Sequence, residues 1–319
     1  MDYTIYNGDC LKEFKKIQGA SVDLVLVDPP YGIMAKHQNA SKDKAGMSQK
    51  KYKEKLSWDH ALDIKTMMRE CARILRPNGK AIIFSQEPYT SELVLQENTD
   101  LTFCYPMYWK KNNAGFYLGC KKNCVSFVEV MCLFRRIPYG DEIYKDTSIR
   151  KYLKDELEKS GLTISDANKL IGTKSMASHY FGNGRQFAIP SEKHYRILQS
   201  TGYFQKPYSV LKNAAKKYYK STFNLNGANS KSNVFEYAKE GTSFHPTQKP
   251  TLLLEDLIKT FSDEGDLVLD FTMGSGSTGV ACGNTNRKFI GIEKDENYYK
   301  IAESRINEAY LNAKKKKGG

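Results

Sequence analysis

Leu267-Val268-Leu269-Asp270-Phe271-Thr272-Met273-Gly274-Ser275-Gly276-Ser277-Thr278-Gly279 reads as an apolar strand running into a glycine-rich turn and then a helix. Gly274, Gly276 and Gly279 have the spacing of a dinucleotide-binding turn, where glycine allows tight turning and close approach of backbone to a ligand. Glu293 lies 19 residues after Gly274 and closes the next apolar run, Phe289–Ile292. A carboxylate at that place can accept hydrogen bonds from ribose hydroxyls. The glycines alone fit a structural turn nearly as well. With strand, helix and acid together, they predict a site for an adenosine-containing cofactor, with NAD and S-adenosylmethionine both open.

A second strand decides between the two. Val22–Val27 is a buried-strand run that ends abruptly in Asp28-Pro29-Pro30-Tyr31. Open α/β sheets bind ligands at the carboxyl ends of their strands, which is where this tetrad falls. Two prolines supply carbonyl acceptors and no N–H, on a backbone of fixed φ. Beside a carboxylate, those carbonyls form an acceptor-only pocket, suited to an amine. Tyr31 adds a flat face on which a base can stack. Nothing in a nicotinamide oxidoreductase requires this combination.

The chain resembles the amino-DNA methyltransferases of the beta arrangement, in which the catalytic motif precedes the cofactor loop. The resemblance rests on Asn7-Gly8-Asp9-Cys10, Ser21–Gly32, Trp109-Lys110-Lys111, His245-Pro246-Thr247-Gln248-Lys249-Pro250 and Asp270–Gly279, in that order. It covers about residues 1–134 and 242–310. It implies that Asp9, with Cys10 beside it, meets the cofactor adenine and Glu293 the ribose. The loop Asp270, Phe271, Gly274, Ser275, Gly276, Ser277 and Thr278 would hold the sugar and methionine, and Lys249 would close the methionine end. Asp28 and the Pro29 carbonyl would grip the target amine next to the cofactor, with Pro30 stiffening the turn and Tyr31 stacking on the base. The usual Asp-Pro-Phe of the cofactor loop reads Asp270-Phe271-Thr272 here, with the aromatic moved by one position.

Working outward, residues 1–138 alternate strand and helix and predict the first half of an α/β, Rossmann-like methyltransferase sheet. Helical periodicity over Ile64–Leu75 is followed by the turn Arg76-Pro77-Asn78-Gly79, the strand Lys80–Phe84, and a strand pair at Phe103–Lys110 and Ser126–Phe134. Residues 244–312 bring the cofactor-binding half, with a helix at Thr251–Thr260 and another from Glu296 to about Tyr310. Residues 313–319, rich in lysine, read as a disordered basic tail. Between the halves, residues 139–243 lose the strand pattern and predict an inserted, mainly helical target-recognition module. Their Lys/Arg exceed Asp/Glu by seven. Within it Leu162–Phe181 resembles a helix-turn-helix: Ser165 caps a first helix, Gly172 turns it, and Lys174–Phe181 forms a second. Lys174, Arg185 and Gln186 are the candidates for base edges, since Arg suits guanine and Gln adenine in the major groove.

The chain has 319 residues and a formal charge of +13. That excess favours nucleic acid, here double-stranded DNA, over other partners. Seven lysines against two acids between Gly32 and Leu56 form a further basic segment beside Tyr31. No apolar run reaches membrane-spanning length. The seven cysteines are scattered without metal-ligand spacing, which predicts free thiols, no metal, and a cytoplasmic protein. A homodimer or a companion restriction endonuclease is compatible with this reading. The expected reaction is methylation of adenine N6 in flipped-out DNA, with N4-cytosine methylation and a non-catalytic DNA-binding regulator as alternatives.

Overall fold

The computed structural model describes residues 2–32, 61–96, 100–113, 121, 124–136, 148–182, 187–220, 222–239 and 248–318. It divides into two compact units, Met1–Arg136 with Thr222–Gly319, and Ile137–Ser221.

The first unit is built on one sheet. Its elements are β1 (Tyr3–Asn7), α1 (Cys10–Glu13), β2 (Val22–Val27), α2 (Ile64–Ile74), β3 (Leu75–Ser85), α3 (Tyr89–Val94), β4 (Leu101–Lys110) and β5 (Val128–Arg136). The second unit then supplies α4 (Ser148–Lys159), α5 (Ile164–Ile171), α6 (Met176–Phe181), α7 (Glu192–Gln199) and α8 (Tyr208–Tyr219). The sheet unit resumes with β6 (Val234–Glu236), α9 (Thr251–Phe261), β7 (Leu267–Asp270), α10 (Ser277–Asn284), β8 (Lys288–Glu293) and α11 (Glu296–Gly318). The eight strands lie in the order β1-β8-β7-β2-β3-β5-β4-β6.

β2 shows why the sheet forms. Its side chains alternate between faces, as a strand requires. Val25 and Val27 enter the core under α2, whereas Leu24 and Leu26 enter the core under α9, α10 and α11. Both faces are covered, so the strand is apolar almost throughout, as parallel central strands are. The exception, Asp23, pairs with Arg76 and accepts the Leu267 N–H at 2.9 Å, pinning the start of β7 to β2. Arg76-Pro77-Asn78-Gly79, expected as a turn, is an irregularity inside β3, where the register against β2 shifts and Asn78 takes φ +60°.

β7 and β8 advance in one direction from the centre of the sheet, and β2 and β3 in the other. The chain therefore changes direction between β7 and β2, and a crevice opens beyond their carboxyl ends. Asp270 ends β7 and Asp28 follows β2, in neighbouring strands. The glycine-rich turn fits under α11. Gly276 has φ +82°, and a Cβ there would lie 2.8 Å from Ala302 Cβ; one at Gly279 would lie 2.5 Å from Ile306 Cδ1.

Two expectations are corrected in this unit. β6 pairs in parallel with β4 through Tyr108↔Val234 to Lys110↔Glu236, so the sheet takes up part of the stretch read as belonging to the inserted module. The lysine-rich end continues α11 to Gly318 rather than forming a disordered tail. Lysine is a good helix former, and cations are favourable at a helix C-terminus.

The second unit packs five described helices around Leu153, Ala167, Ala177, Tyr195, Leu198, Phe204 and Leu211, all fully buried. Tyr195 Oη donates to the Phe204 and Lys206 carbonyls, at 3.0 and 2.9 Å, which satisfies the polar end of a buried ring. Two consecutive helices, α5 and α6, are joined by a turn over residues 172–175, so the second begins at Met176 rather than at Lys174, and the first has a different cap from the one expected. Thr163, not Ser165, starts α5 through a reciprocal capping box with Asp166, and Gly172 ends it in the left-handed region. Asn168 Oδ1 then accepts from Thr173 Oγ1 and from the Ala177 N–H, fixing the turn and capping α6. Arg185 and Gln186 lie outside the described residues, as do most of the basic segment after Tyr31 and His245-Pro246-Thr247.

Candidate active site

The crevice collects carboxylates from the ends of four neighbouring strands, β1, β8, β7 and β2, and a fifth from β5. At one end the carboxyl ends of β1 and β8 meet, and the Gly8 N–H donates to the Glu293 carbonyl at 2.9 Å. Asp9 caps α1 by accepting the Leu11 N–H at 3.0 Å, and its other oxygen faces Lys294 Nζ at 3.4 Å. Glu293 accepts the Gly274 N–H at 2.9 Å and the Asp295 N–H at 2.7 Å. Burial holds its carboxyl above the usual range. Cys10 is buried, and its thiol is pushed up to about 12 by burial and by Asp9. Its side chain is therefore neutral packing rather than a polar contact.

Along the cofactor loop, Asp270 accepts Thr278 Oγ1 at 2.6 Å and the Thr272 N–H at 3.1 Å. Burial, with Asp28 and Glu293 adding repulsion, outweighs those two bonds and raises its carboxyl to about 7. Ser275 Oγ donates to Gln248 Oε1 at 3.2 Å and accepts from Arg305 at 3.1 Å. Ser277 and Thr278 are buried at the start of α10. Phe271 is only 1% exposed and stacks edge-to-face on Phe14, centroids 5.1 Å apart. Its ring belongs to the core beneath the loop, so the displaced aromatic offers the crevice backbone only.

At the other end stands Asp28. Thr272 Oγ1 donates to its carbonyl at 3.1 Å, joining the tetrad to the cofactor loop. One carboxylate oxygen accepts from Tyr31 Oη and the other from Lys249 Nζ at 2.5 Å. Burial and the Asp28 charge push the Tyr31 phenol well up, so it remains a donor. The Tyr31 ring also packs on Tyr89, centroids 5.3 Å apart. Pro29 is buried, and Pro30 is half-buried between it and Tyr31. Lys249 was placed by sequence at the methionine end; here its ammonium reaches the tetrad.

Three residues of this end were missed or unassigned. Glu129, on β5, lies 3.3 Å from Lys249 Nζ and 3.0 Å from Lys111 Nζ. Its signal was an acid inside the apolar run Val128–Phe134. Lys111 had been noted only as part of a motif, and Tyr89 carried no signal. Burial would raise the Glu129 carboxyl, but Lys249 and Lys111 outweigh it and hold it low. Burial would lower the Lys249 ammonium, but Asp28 and Glu129 hold it high. Among the described residues no group of three His, Cys, Asp or Glu is placed to hold a metal, and no helix is long and apolar enough to cross a membrane.

The crevice thus holds the glycine-rich turn on one side and the Asp28-Pro29-Pro30-Tyr31 tetrad on the other, joined through Thr272. Comparison with known proteins gives the class: the DNA methylase family model matches residues 22–304, and the chain belongs to that family. It is an S-adenosylmethionine-dependent DNA methyltransferase. The type II methyltransferase M.HindIII of Haemophilus influenzae is 26% identical over 98% of this chain and 99% of its own. The type II methyltransferase M.HpaI of Haemophilus parainfluenzae is 26% identical over 97% and 76%. The DNA adenine methyltransferase YhdJ of Escherichia coli is 27% identical over 96% and 83%. Among solved structures, the M1.HpyAVI–SAM complex superposes with a TM-score of 0.52 at 20% identity, over 96% of this chain and 99% of that one. The cytosine-N4-specific PvuII DNA methyltransferase reaches 0.50 at 14% identity, over 98% and 93%.

The chain's own residues fit the cofactor. Gly276 lets the turn pack closely under Ala302 of α11, and Glu293 and Asp9 bring two carboxylates, able to accept from hydroxyls or amines, to the β1–β8 end of the crevice. When bound, S-adenosylmethionine supplies a methyl group on a positively charged sulfur.

Proposed function

We propose that this enzyme methylates the N6 amine of adenine in double-stranded DNA, with Asp28 and the Pro29 carbonyl as amine acceptors and Tyr31 as the base-stacking face. The observation that carries the reading is Asp28 itself: its backbone carbonyl accepts from Thr272 of the glycine-rich loop, and its carboxylate accepts from Tyr31 and Lys249 at the same end of the crevice. An exocyclic amine is a weak nucleophile because its lone pair is delocalised into the ring. Accepting its N–H bonds localises that pair, and positioning supplies much of the acceleration. The Asp28 carboxylate has lone pairs beyond those used by Tyr31 and Lys249. A charged acceptor binds an N–H about twice as strongly as a neutral one, which favours adenine over cytosine because cytosine enzymes resembling this chain usually carry serine there. Flipping the base out costs a few kcal/mol, and stacking returns roughly 1–3 kcal/mol of it.

Glu293 takes the ribose, Asp9 the adenine, and Asp270, Gly274, Ser275, Gly276, Ser277 and Thr278 the rest of the cofactor in this reading. Cys10 and Phe271 serve it by packing. The helix pair over residues 163–181 carries target recognition, with Lys174, Ser175 and Ser178 exposed on its second helix and the turn before it. Arg185 and Gln186, outside the described residues, are further candidates for base contacts by residue type alone. The names of the type II relatives support a companion restriction endonuclease and an intracellular setting; self-association is read by sedimentation. Nucleoside digestion of methylated DNA and mass identification test the product. N6-methyladenine is expected, and N4-methylcytosine would overturn the choice of base.

A further inference from the structure

Asp28, Lys249, Glu129 and Lys111 form a chain of alternating charge that crosses the target end of the crevice. Nζ of Lys249 lies 2.5 Å from Asp28 and 3.3 Å from Glu129, and Nζ of Lys111 lies 3.0 Å from the other Glu129 oxygen. Both lysine side chains are under a tenth exposed, and Lys249 also sits over the Phe84 ring at 4.9 Å. Asp28 thus divides its carboxylate: the ammonium already draws on an oxygen to which a target amine would donate. Glu129, 3.3 Å from the same ammonium, keeps the buried cation paired with a carboxylate when Asp28 engages the amine.

We propose that Glu129 is a positioning residue for methyl transfer, giving Lys249 a standing second carboxylate so that Asp28 can turn to the amine while the lysine stays paired. Lys111 holds Glu129 in place for this role. β5 supplies the acid from outside both recognised motifs, so the target end of the site is completed by a strand that reads as plain core. The low proton affinity of Glu129 and the high one of Lys249 agree with a pair that stays charged throughout. The inference rests on the reading that Asp28 grips the amine.

The test is single-turnover methyl transfer at saturating DNA and cofactor, with cofactor Kd measured separately by calorimetry. Glu129→Gln should slow transfer at least about thirtyfold, while Glu129→Asp, which keeps the charge at shorter reach, should slow it by about three- to tenfold. Cofactor Kd should stay within about threefold of wild type in both. In a Lys249→Met background the same Glu129 substitutions should change the rate less than about twofold, as required if Glu129 acts through that lysine. A wild-type rate in Glu129→Gln, a Kd that weakens in step with the rate, or losses that multiply in the Lys249→Met background would each overturn the proposal. If Glu129→Gln does not fold, a wild-type rate in Glu129→Asp overturns it instead. Asp28→Ala separates the two readings: residual activity there removes the role of Asp28, whereas an inactive Asp28→Ala beside an unimpaired Glu129→Gln removes only the proposal.

Discussion

Replacing Glu293 by Ala removes two things at once, and their sizes differ. In the cofactor-free protein the carboxylate accepts the Gly274 and Asp295 N–H groups at 2.9 and 2.7 Å. The Asp295 bond is exposed, so water replaces it at little cost. The Gly274 bond is part-buried and costs about 1.5–3 kcal/mol when a charged acceptor is lost. Cofactor binding loses more if the carboxylate also holds the ribose. Two hydroxyls that no longer meet a charged acceptor weaken binding by about 3 kcal/mol or more, roughly 100-fold in Kd. Titration calorimetry reads the second effect, and cofactor-induced thermal stabilisation reads both. Apo stability should fall modestly while most of the cofactor-induced shift disappears. Unchanged Kd with reduced apo stability would leave Glu293 as a support for the glycine turn and remove it from the ribose.

Gly276→Ala should cost about 1–3 kcal/mol or more, since its Cβ meets Ala302 at φ +82°; chemical denaturation should show it, with cofactor affinity falling alongside. Asp270 binds its proton more tightly folded than unfolded, with a carboxyl raised from 3.8 to about 7. Its contribution to stability is therefore complete below about pH 4 and lost as pH rises through about 7, so Asp270→Asn should flatten the decline between those values in melting curves. Lys174→Gln should weaken binding to the target sequence by about 1–3 kcal/mol and more than binding to unrelated DNA, with cofactor Kd unchanged. An equal loss on both, or none on either, would move recognition away from the turn before α6.

The parts of the fold that were legible are those that bury both faces of a strand. Val22–Val27 and Leu267–Asp270 announce themselves as apolar runs because parallel central strands have no wet side, and Asp28 and Asp270 mark where the crevice begins. β6 was not legible: three residues with only Phe235 buried carry no pattern, and the strand exists because β4 offers it an edge. Thr163 was passed over for Ser165 because a cap depends on a reciprocal bond three residues on, which Asp166 makes. At the site, the glycine turn and the tetrad were readable from backbone demands. The side of the chain to which Phe271 points was not, since a one-residue shift in a loop sends a ring into the core or out of it. Glu129 was hidden for a similar reason, because its partners are Lys111, just after β4, and Lys249, in the segment before α9 and 120 residues away in sequence.

The strand order has a consequence for synthesis. β2, at the centre of the sheet, pairs on one side with β3, made soon afterwards, and on the other with β7, made more than 200 residues later. On the ribosome, β2 to β5 can associate early, and α4 to α8 form a compact unit of their own next. Throughout that interval β2 exposes an open edge, the kind that recruits stray strands. The segment made after α8 carries Lys249, the glycine turn and Glu293. A truncated chain therefore holds the target tetrad without its cofactor half, and a prematurely terminated product is an aggregation hazard rather than a stray modifier of DNA.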